Sequence, residues 1–378
     1  MKQIKWALVF AFAILINGCS KIENDLDNSV KPIDEESYSS DLPYQLNVIY
    51  FVPKDMRELP QYQERLSNIL LNAKAFVKKN MAAKGYSNNE MGLLVNKNNL
   101  VKIHLVNAKS NRTSYLGDKD KTPDLIKAEV DAYFKANKIT DASKHFLVIM
   151  PSEYGADKEP IGGGPFFGLG TWCFALDYPD MDQKYLGTSG RLGDLATKWI
   201  GGLVHEMGHG LNIGHDKSTV SDQAKLGESL MAAGNYTYGS SPTHLTIASC
   251  AILNTSQIFQ KTAVADLYTQ PDLTYTKLSG TFSNGTITFT GSFETNKTTS
   301  EIILFLDPAG EEDYNRIGWV VKPNGNSFEF KIPISELEVK SGKYDLNLTM
   351  VYKNGYIEED FTIPFQFVNG VPNLNYKK

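Results

Sequence analysis

The chain is poor in cysteine and carries little net charge. Its 378 residues contain three cysteines and six histidines, and the formal net charge is only −5. This charge gives no electrostatic case for nucleic-acid binding, so we expect no nucleic-acid partner. None of the cysteines has the spacing of a metal-binding motif. Gly162-Gly163-Gly164 is not a phosphate-binding loop, because it lacks the Lys-Ser/Thr ending and the helix that should follow.

Long apolar segments are absent except near the N-terminus. Lys2 and Lys5 precede an apolar stretch, Trp6 to Ile16, that is too short to span a bilayer, which is typical of a signal peptide at residues 1–18. Ile16-Asn17-Gly18-Cys19 resembles a bacterial lipobox, which implies cleavage before Cys19 and lipid on its thiol. Several acyl chains together give stable membrane attachment. We therefore expect a lipid-anchored protein of the bacterial cell envelope, periplasmic or at the cell surface; the alternative is a soluble secretory peptide with an incidental cysteine.

The other two cysteines, Cys173 and Cys250, leave two interpretations open. Export permits a disulfide between them, and two separate buried thiols fit the sequence equally well. Residues 19–42 are rich in Asp, Glu, Ser, Asn and Lys, which indicates a flexible tether.

Residues 43–271 have the pattern of an α/β domain. Apolar runs predict strands at 45–53, 100–106 and 145–150, and apolar residues at helical spacing predict helices at 60–84 and from 122 onward. Extended segments within 162–177 predict an edge strand, and residues 243–259 predict a closing helix. A further amphipathic helix, capped by Asp194, precedes residue 205, and we expect Gly201 and Gly202 to permit close packing beneath it.

Residues 272–378 have a different pattern, in which short strands alternate with turns. Asn-Gly pairs separate several of these strands, as in tight hairpins. The pattern predicts an all-β, immunoglobulin-like sandwich with its own core and few contacts across the linker. The predicted strands cover residues 277–283, 286–293, 301–306, 318–322, 327–332, 344–352 and 359–367.

Three of the six histidines lie within eleven residues and form a candidate zinc site. His205 and His209 are four residues apart, so on a helix they lie one turn apart on the same face and can bind one metal ion. Glu206 is in the usual position for a general base. His215 can reach the same ion only if the chain turns sharply, and Asn212 tolerates the left-handed backbone that such a turn needs. Three protein ligands leave a fourth position open, which is typical of a catalytic site.

This segment resembles the metzincin metalloproteases, whose signature is His-Glu-x-x-His-x-x-Gly-x-x-His followed by a Met-turn. Asn212 stands where the family has glycine. The resemblance implies one catalytic Zn²⁺ bound by the three histidines, with Glu206 as base. It also implies a Met-turn, for which Met231 in Ser229-Leu230-Met231-Ala232 is the candidate. Tyr236 and Tyr238 follow it and are candidates for stabilising the transition state, the alternative being that they only pack in the core.

These observations predict a two-domain enzyme: an α/β (α+β) metzincin-like catalytic domain with a mixed sheet and a zinc helix, followed by the immunoglobulin-like sandwich. We expect a zinc-dependent endopeptidase that hydrolyses peptide bonds of extracytoplasmic proteins through a zinc-activated water. Its partners would be a protein or peptide substrate and, through the lipid anchor, a membrane. The alternatives are a zinc amidase acting on cell-wall or glycan-linked peptides, and a surface binding protein with a secondary protease domain.

Overall fold

The structure, a computed structural model, describes residues 38–87, 89–308 and 313–378. Cys19, the predicted signal peptide and nearly all of the predicted tether lie outside these residues. The described residues belong to one compact unit, Ser37–Lys378. None of the helices within them has the length and apolarity that a bilayer span requires.

The described residues form a mixed α/β fold with several sheets. The α-helices are α1 (Tyr62–Ala83), α2 (Thr122–Asn137), α3 (Arg191–Gly210), α4 (Val220–Leu226) and α5 (Ile247–Leu253). Short 3-10 helices cover Arg112–Tyr115, Gln183–Tyr185, Gly234–Tyr236, Gln257–Phe259, Asp313–Asn315 and Ile334–Glu336. The strands before residue 272 are β1 (Asn47–Val52), β2 (Ile103–Asn107), β3 (Phe146–Pro151), β4 (Phe167–Leu169), β5 (Trp172–Asp177), β6 (Glu228–Ser229) and β7 (Thr243–His244).

The N-terminal half is built on a five-stranded sheet in the order β2-β1-β3-β5-β4. Strands β1, β2, β3 and β5 are parallel, and the edge strand β4 runs antiparallel to β5. Every residue of β1 and of β3 is buried, which explains why both are continuous apolar runs in the sequence. The predicted alternation of strands and helices is therefore confirmed, as is the edge strand. The closing helix is shorter than predicted and covers only Ile247–Leu253.

Helix α3 packs against β4, β5 and the segment after Met231, and its glycines allow this close approach. A Cβ atom on Gly201 would lie 2.2 Å from the Asn235 carbonyl oxygen, and one on Gly202 would lie 2.7 Å from the Phe166 ring. The prediction that these glycines permit close packing is confirmed. The predicted cap is wrong: the helix begins at Arg191 after Gly190, whose φ of 90° favours glycine, and Asp194 lies in the first turn.

The chain from residue 273 onward, here called the C-terminal β region, consists of two antiparallel sheets. One sheet has the order β11 (Ile317–Val321), β10 (Thr299–Pro308), β13 (Gly342–Tyr352), β14 (Ile357–Val368) and β15 (Val371–Pro372). The other has the order β12 (Ser327–Pro333), β9 (Thr286–Thr295), β8 (Leu273–Ser283) and β16 (Tyr376–Lys377). The facing apolar side chains of the two sheets share a core. Each of the seven predicted strands is present; an immunoglobulin-like identity stays a prediction.

The C-terminal β region shares a hydrophobic core with the rest of the chain. Ile303, Phe305 and Val351 belong to the same buried cluster as Ala248 and Ile252 of helix α5. The expectation of few contacts across the linker is therefore wrong, because the outer face of one sheet is apolar and is covered by helix α5. The domain boundary itself, predicted between residues 271 and 272, stays a prediction.

Candidate metal centre

A tight turn after helix α3 brings the third histidine back toward the first two. The helix ends at Gly210, and Asn212 has a φ of 67°, in the left-handed region. The backbone N–H of Ile213 donates to the Gly208 carbonyl (3.0 Å), which closes the helix end in the manner of a Schellman motif. The predicted left-handed conformation of Asn212 is confirmed, and it reverses the chain within a few residues.

The three histidines converge on one point. Nε2 of His209 lies 3.2 Å from Nε2 of His205 and 3.1 Å from Nε2 of His215. Imidazole nitrogens bound to one tetrahedral zinc at about 2.0–2.1 Å would be separated by about 3.3 Å, so the cluster fits such an ion. Within the described part of the chain, these side chains are the one group of three or more His, Cys, Asp or Glu residues with metal-binding proximity.

Hydrogen bonds and burial prepare these imidazoles to bind a metal. Nδ1 of His205 faces the Leu230 carbonyl oxygen, and Nδ1 of His209 faces that of Ile213, both at 2.8 Å. A proton on each Nδ1 leaves the Nε2 lone pair directed into the cluster. Burial lowers the pKa of His205; burial and the neighbouring imidazoles lower the pKa of His209 to about 4 and that of His215 to about 3. The cluster therefore favours neutral imidazoles, which is the form that binds metals.

Glu206 lies beside the first histidine and titrates near neutrality. Burial raises the pKa of its carboxyl group to about 7, whereas a hydrogen bond from the backbone N–H of Gly168 and the charge of Lys119 act in the opposite direction. A carboxylate with a pKa near the working pH suits a general base. The role of Glu206 as a base stays a prediction.

Strand β4 comes close to Glu206 because residue 168 is a glycine. A Cβ atom there would lie 2.1 Å from Cβ of His209 and 3.0 Å from the Glu206 carbonyl oxygen. The sequence contained a weak signal, since a glycine within a strand often marks a close backbone approach. Cavities flank β4 at both ends: one of about 520 Å³ next to Glu206 and Phe166, and one of about 570 Å³ next to His209 and Gly170.

The segment predicted as a Met-turn packs against helix α3 beside the cluster, where the Leu230 carbonyl oxygen faces Nδ1 of His205. Met231 is fully buried. Its Sδ atom would lie 2.6 Å from a Cβ atom on Gly208, a residue of helix α3 that lies between His205 and His209 in the sequence. Buried Asp216, which follows the third histidine, accepts hydrogen bonds from Ser229 (3.0 Å) and Ser249 (2.8 Å) and also from Thr246. Asp216 thereby connects the turn that carries the third histidine to the segment that carries Met231 and to helix α5.

The two candidate tyrosines have different surroundings. Tyr236 is 63% exposed and lines the cavity that contains Glu206. Tyr238 is buried, and its hydroxyl donates to Asn72 on helix α1 while its ring packs edge-on against Phe76. It lines a different cavity, which includes none of the three histidines. The pairing of its hydroxyl with Asn72 beside that separate cavity favours the alternative that Tyr238 only packs, and a role in stabilising the transition state stays a prediction.

The C-terminal β region contributes two residues that the sequence did not identify. The Tyr314 ring stacks on the His215 ring, with centroids 3.6 Å apart. Nε of Arg316 donates to the His215 carbonyl oxygen, and its guanidinium lies over the Phe305 ring at 4.3 Å. No local pattern marks either residue, because their relation to the cluster arises only when strand β11 packs beside the turn.

The remaining histidines and cysteines have structural surroundings. His145 is fully buried and bonds to the Gly210 carbonyl, His104 packs on Phe134, and His244 contacts Ser218. Cys173 and Cys250 are both free and buried, which decides between the two interpretations in favour of separate thiols.

Solved structures that resemble this chain include OgpA from Akkermansia muciniphila. Wild-type OgpA shares 33% sequence identity at a TM-score of 0.82, and the match covers 89% of this chain and 96% of that chain. Catalytically inactive OgpA in complex with an O-glycopeptide (glycodrosocin) substrate shares 32% identity at a TM-score of 0.82, covering 89% and 95%. No family model and no curated protein sequence matches the chain. Because the identity extends over nearly the whole length of OgpA, the chain belongs to the OgpA family.

Proposed function

We propose that the protein is a zinc-dependent endopeptidase that cleaves O-glycosylated peptides or proteins. The observation that carries this proposal is the convergence of three imidazole nitrogens beside a carboxyl group of raised pKa. The relatedness to OgpA, which has been crystallised with an O-glycopeptide substrate, supports the substrate class.

In the proposed reaction, Glu206 moves the protons. Zinc held by His205, His209 and His215 would supply Lewis-acid chemistry and make water more acidic at neutral pH. The carboxylate of Glu206 removes a proton from the attacking water and delivers it to the amine nitrogen as the peptide C–N bond breaks. The Gly168 N–H orients this carboxylate, and the buried surroundings keep it basic enough to accept the proton.

The edge strand β4 is the proposed docking element for the peptide. An extended peptide can add to such an edge through backbone hydrogen bonds. The cavity before β4 includes Gly164 and Phe166, and the cavity after it includes Gly170 and Thr171. A peptide paired with β4 would therefore reach both cavities while its central bond passes the histidine cluster.

Chemistry suited to a sugar is present in the cavity beside Glu206. Trp199 and Asn235 line it, and within the described residues neither Nε1 of Trp199 nor Oδ1 of Asn235 has a hydrogen-bond partner, although both atoms are buried. Neither atom reaches solvent in this arrangement, so a hydroxyl-bearing ligand would satisfy them only after the lining side chains shift to expose them. The aromatic walls suit the apolar face of a sugar ring.

The test compares three substrates with and without a chelator: glycodrosocin, the same peptide without its glycan, and purified peptidoglycan sacculi. We expect cleavage of glycodrosocin only, abolished by the chelator. Glu206→Gln should retain the metal and lose hydrolysis by about 10²–10⁴-fold. Cleavage of sacculi alone would favour the cell-wall amidase, and binding without any hydrolysis would favour a surface binding protein.

We also propose that lipid on Cys19 attaches the protein to the bacterial envelope, on the basis of the lipobox.

A further inference from the structure

Tyr314 of the C-terminal β region lies on the third histidine of the cluster. Its ring and that of His215 are 3.6 Å apart between centroids and inclined by 23°. The Tyr314 side chain is nevertheless 42% exposed, and it lines the cavity that contains Glu206 and Tyr236. One face of the ring therefore covers a histidine while a large part of the ring remains accessible from the cavity.

Arg316 and Ile317, two and three residues after Tyr314, make the contacts that hold Tyr314 in position. The Lys217 N–H donates to the Arg316 carbonyl oxygen (2.7 Å), and Lys217 forms a parallel bridge with Ile317. Arg316 in turn donates to the His215 carbonyl, and a Cβ atom on Gly214 would lie 1.9 Å from Nη2 of Arg316. The segment that carries Tyr314 is thus attached through its backbone to the turn that carries the third histidine.

A purely protective role does not account for this arrangement. A ring that only shielded His215 from water would be more stable fully buried, because exposing aromatic carbon to solvent is unfavourable. Tyr314 instead shares its cavity with the rings of Phe166, Trp199 and Tyr236. Aromatic surfaces around a cavity provide large, rigid contact areas for a ligand.

We propose that Tyr314 is a substrate-contacting residue of the metal centre, contributed by the C-terminal β region. Its exposed ring surface packs against C–H groups of the substrate next to the scissile bond, whether these belong to a sugar or to the peptide itself. This inference rests on the proposed function, and it makes the C-terminal β region part of the substrate site.

The experiment separates binding from catalysis. In the Glu206→Gln background, which binds without turnover, the dissociation constants of glycodrosocin and of the same peptide without its glycan are measured with and without Tyr314→Ala. Tyr314→Phe keeps the ring, and Tyr376→Ala on strand β16 removes a tyrosine from the other sheet, away from this cavity. Bound metal and thermal unfolding are measured for every variant. Michaelis parameters are then compared in the corresponding variants with Glu206 intact.

We expect Tyr314→Ala to raise the dissociation constant and KM about tenfold, with metal content unchanged. The Phe variant and the control should bind as the parent does. If Tyr314→Ala weakens the binding of glycodrosocin alone, the ring contacts the sugar. If it weakens the binding of both peptides, the ring contacts the peptide itself. Unchanged affinity in Tyr314→Ala would overturn the proposal, and so would loss of the metal, which would assign Tyr314 to holding His215. If the unmodified protein neither binds nor cleaves either peptide, the proposed function itself fails.

Discussion

Replacing Gly168 by alanine would place a methyl group where helix α3 already lies. The new Cβ atom would be 2.1 Å from Cβ of His209 and 3.1 Å from the Gly210 nitrogen. Carbon atoms in contact are about 3.5–4.0 Å apart, so strand β4 and the helix would have to separate by at least about 1.4 Å. Overpacking of this kind costs about 1–3 kcal/mol of the free energy of unfolding.

The same displacement removes the Gly168 N–H from the Glu206 carboxylate. A shift of about 1 Å at a catalytic group can cost about 100-fold in rate. We therefore expect Gly168→Ala to retain its metal, because the short edge strand β4 yields rather than the long helix α3 that carries His205 and His209, and to lose about 10- to 100-fold in kcat on glycodrosocin. Denaturant unfolding, elemental analysis and steady-state kinetics measure the three quantities separately.

The matched control is Gly162→Ala in the same segment. A Cβ atom at Gly162 would meet no other atom within 4 Å, and Gly162 does not adopt a positive φ. This control should therefore keep the stability and the metal of the unmodified protein. If Gly168→Ala matched it in unfolding free energy and also kept the unmodified kcat, the close approach of β4 to α3 would have no role in orienting the base.

Four further predictions address the ligands, the floor of the site, the C-terminal β region and the anchor. His215→Ala should weaken metal binding by more than about 100-fold, as measured by competition with a chelator, and full retention of metal would exclude His215 as a ligand. Met231→Leu conserves volume and should cost under about 1.5 kcal/mol with metal intact, whereas metal loss would indicate that the thioether is a ligand. Truncation near Pro271 should lower both stability and metal affinity, because it removes Phe305 from the shared core and the support of the His215 turn; a truncated protein with unmodified melting and metal content would show two independent domains. Cys19→Ser should abolish lipid labelling and move the protein to the soluble fraction, and an unmodified protein that is already soluble would contradict lipidation.

The sequence alone determined the elements whose causes lie close together in the chain. The helical period places His205 and His209 on one face, and the left-handed backbone of Asn212 returns His215 to them, so the whole cluster is specified within eleven residues. The buried parallel strands are visible as continuous apolar runs, and the C-terminal strands as alternating ones. In each case the signal is periodicity, which depends only on neighbours along the chain.

Only the tertiary structure decided which distant residues complete the site. Arg316 meets His215 across 101 residues, and no periodic pattern links two such positions. The same holds for Tyr314, which stacks on that histidine, and for Gly168, whose N–H reaches Glu206 only because β4 packs against helix α3. Tyr238 follows the predicted Met-turn in sequence, yet its hydroxyl bonds to Asn72, because the packing of helix α1 against this segment offers that partner. Packing and the satisfaction of buried polar atoms are properties of the assembled core, so they decide what local patterns leave undetermined.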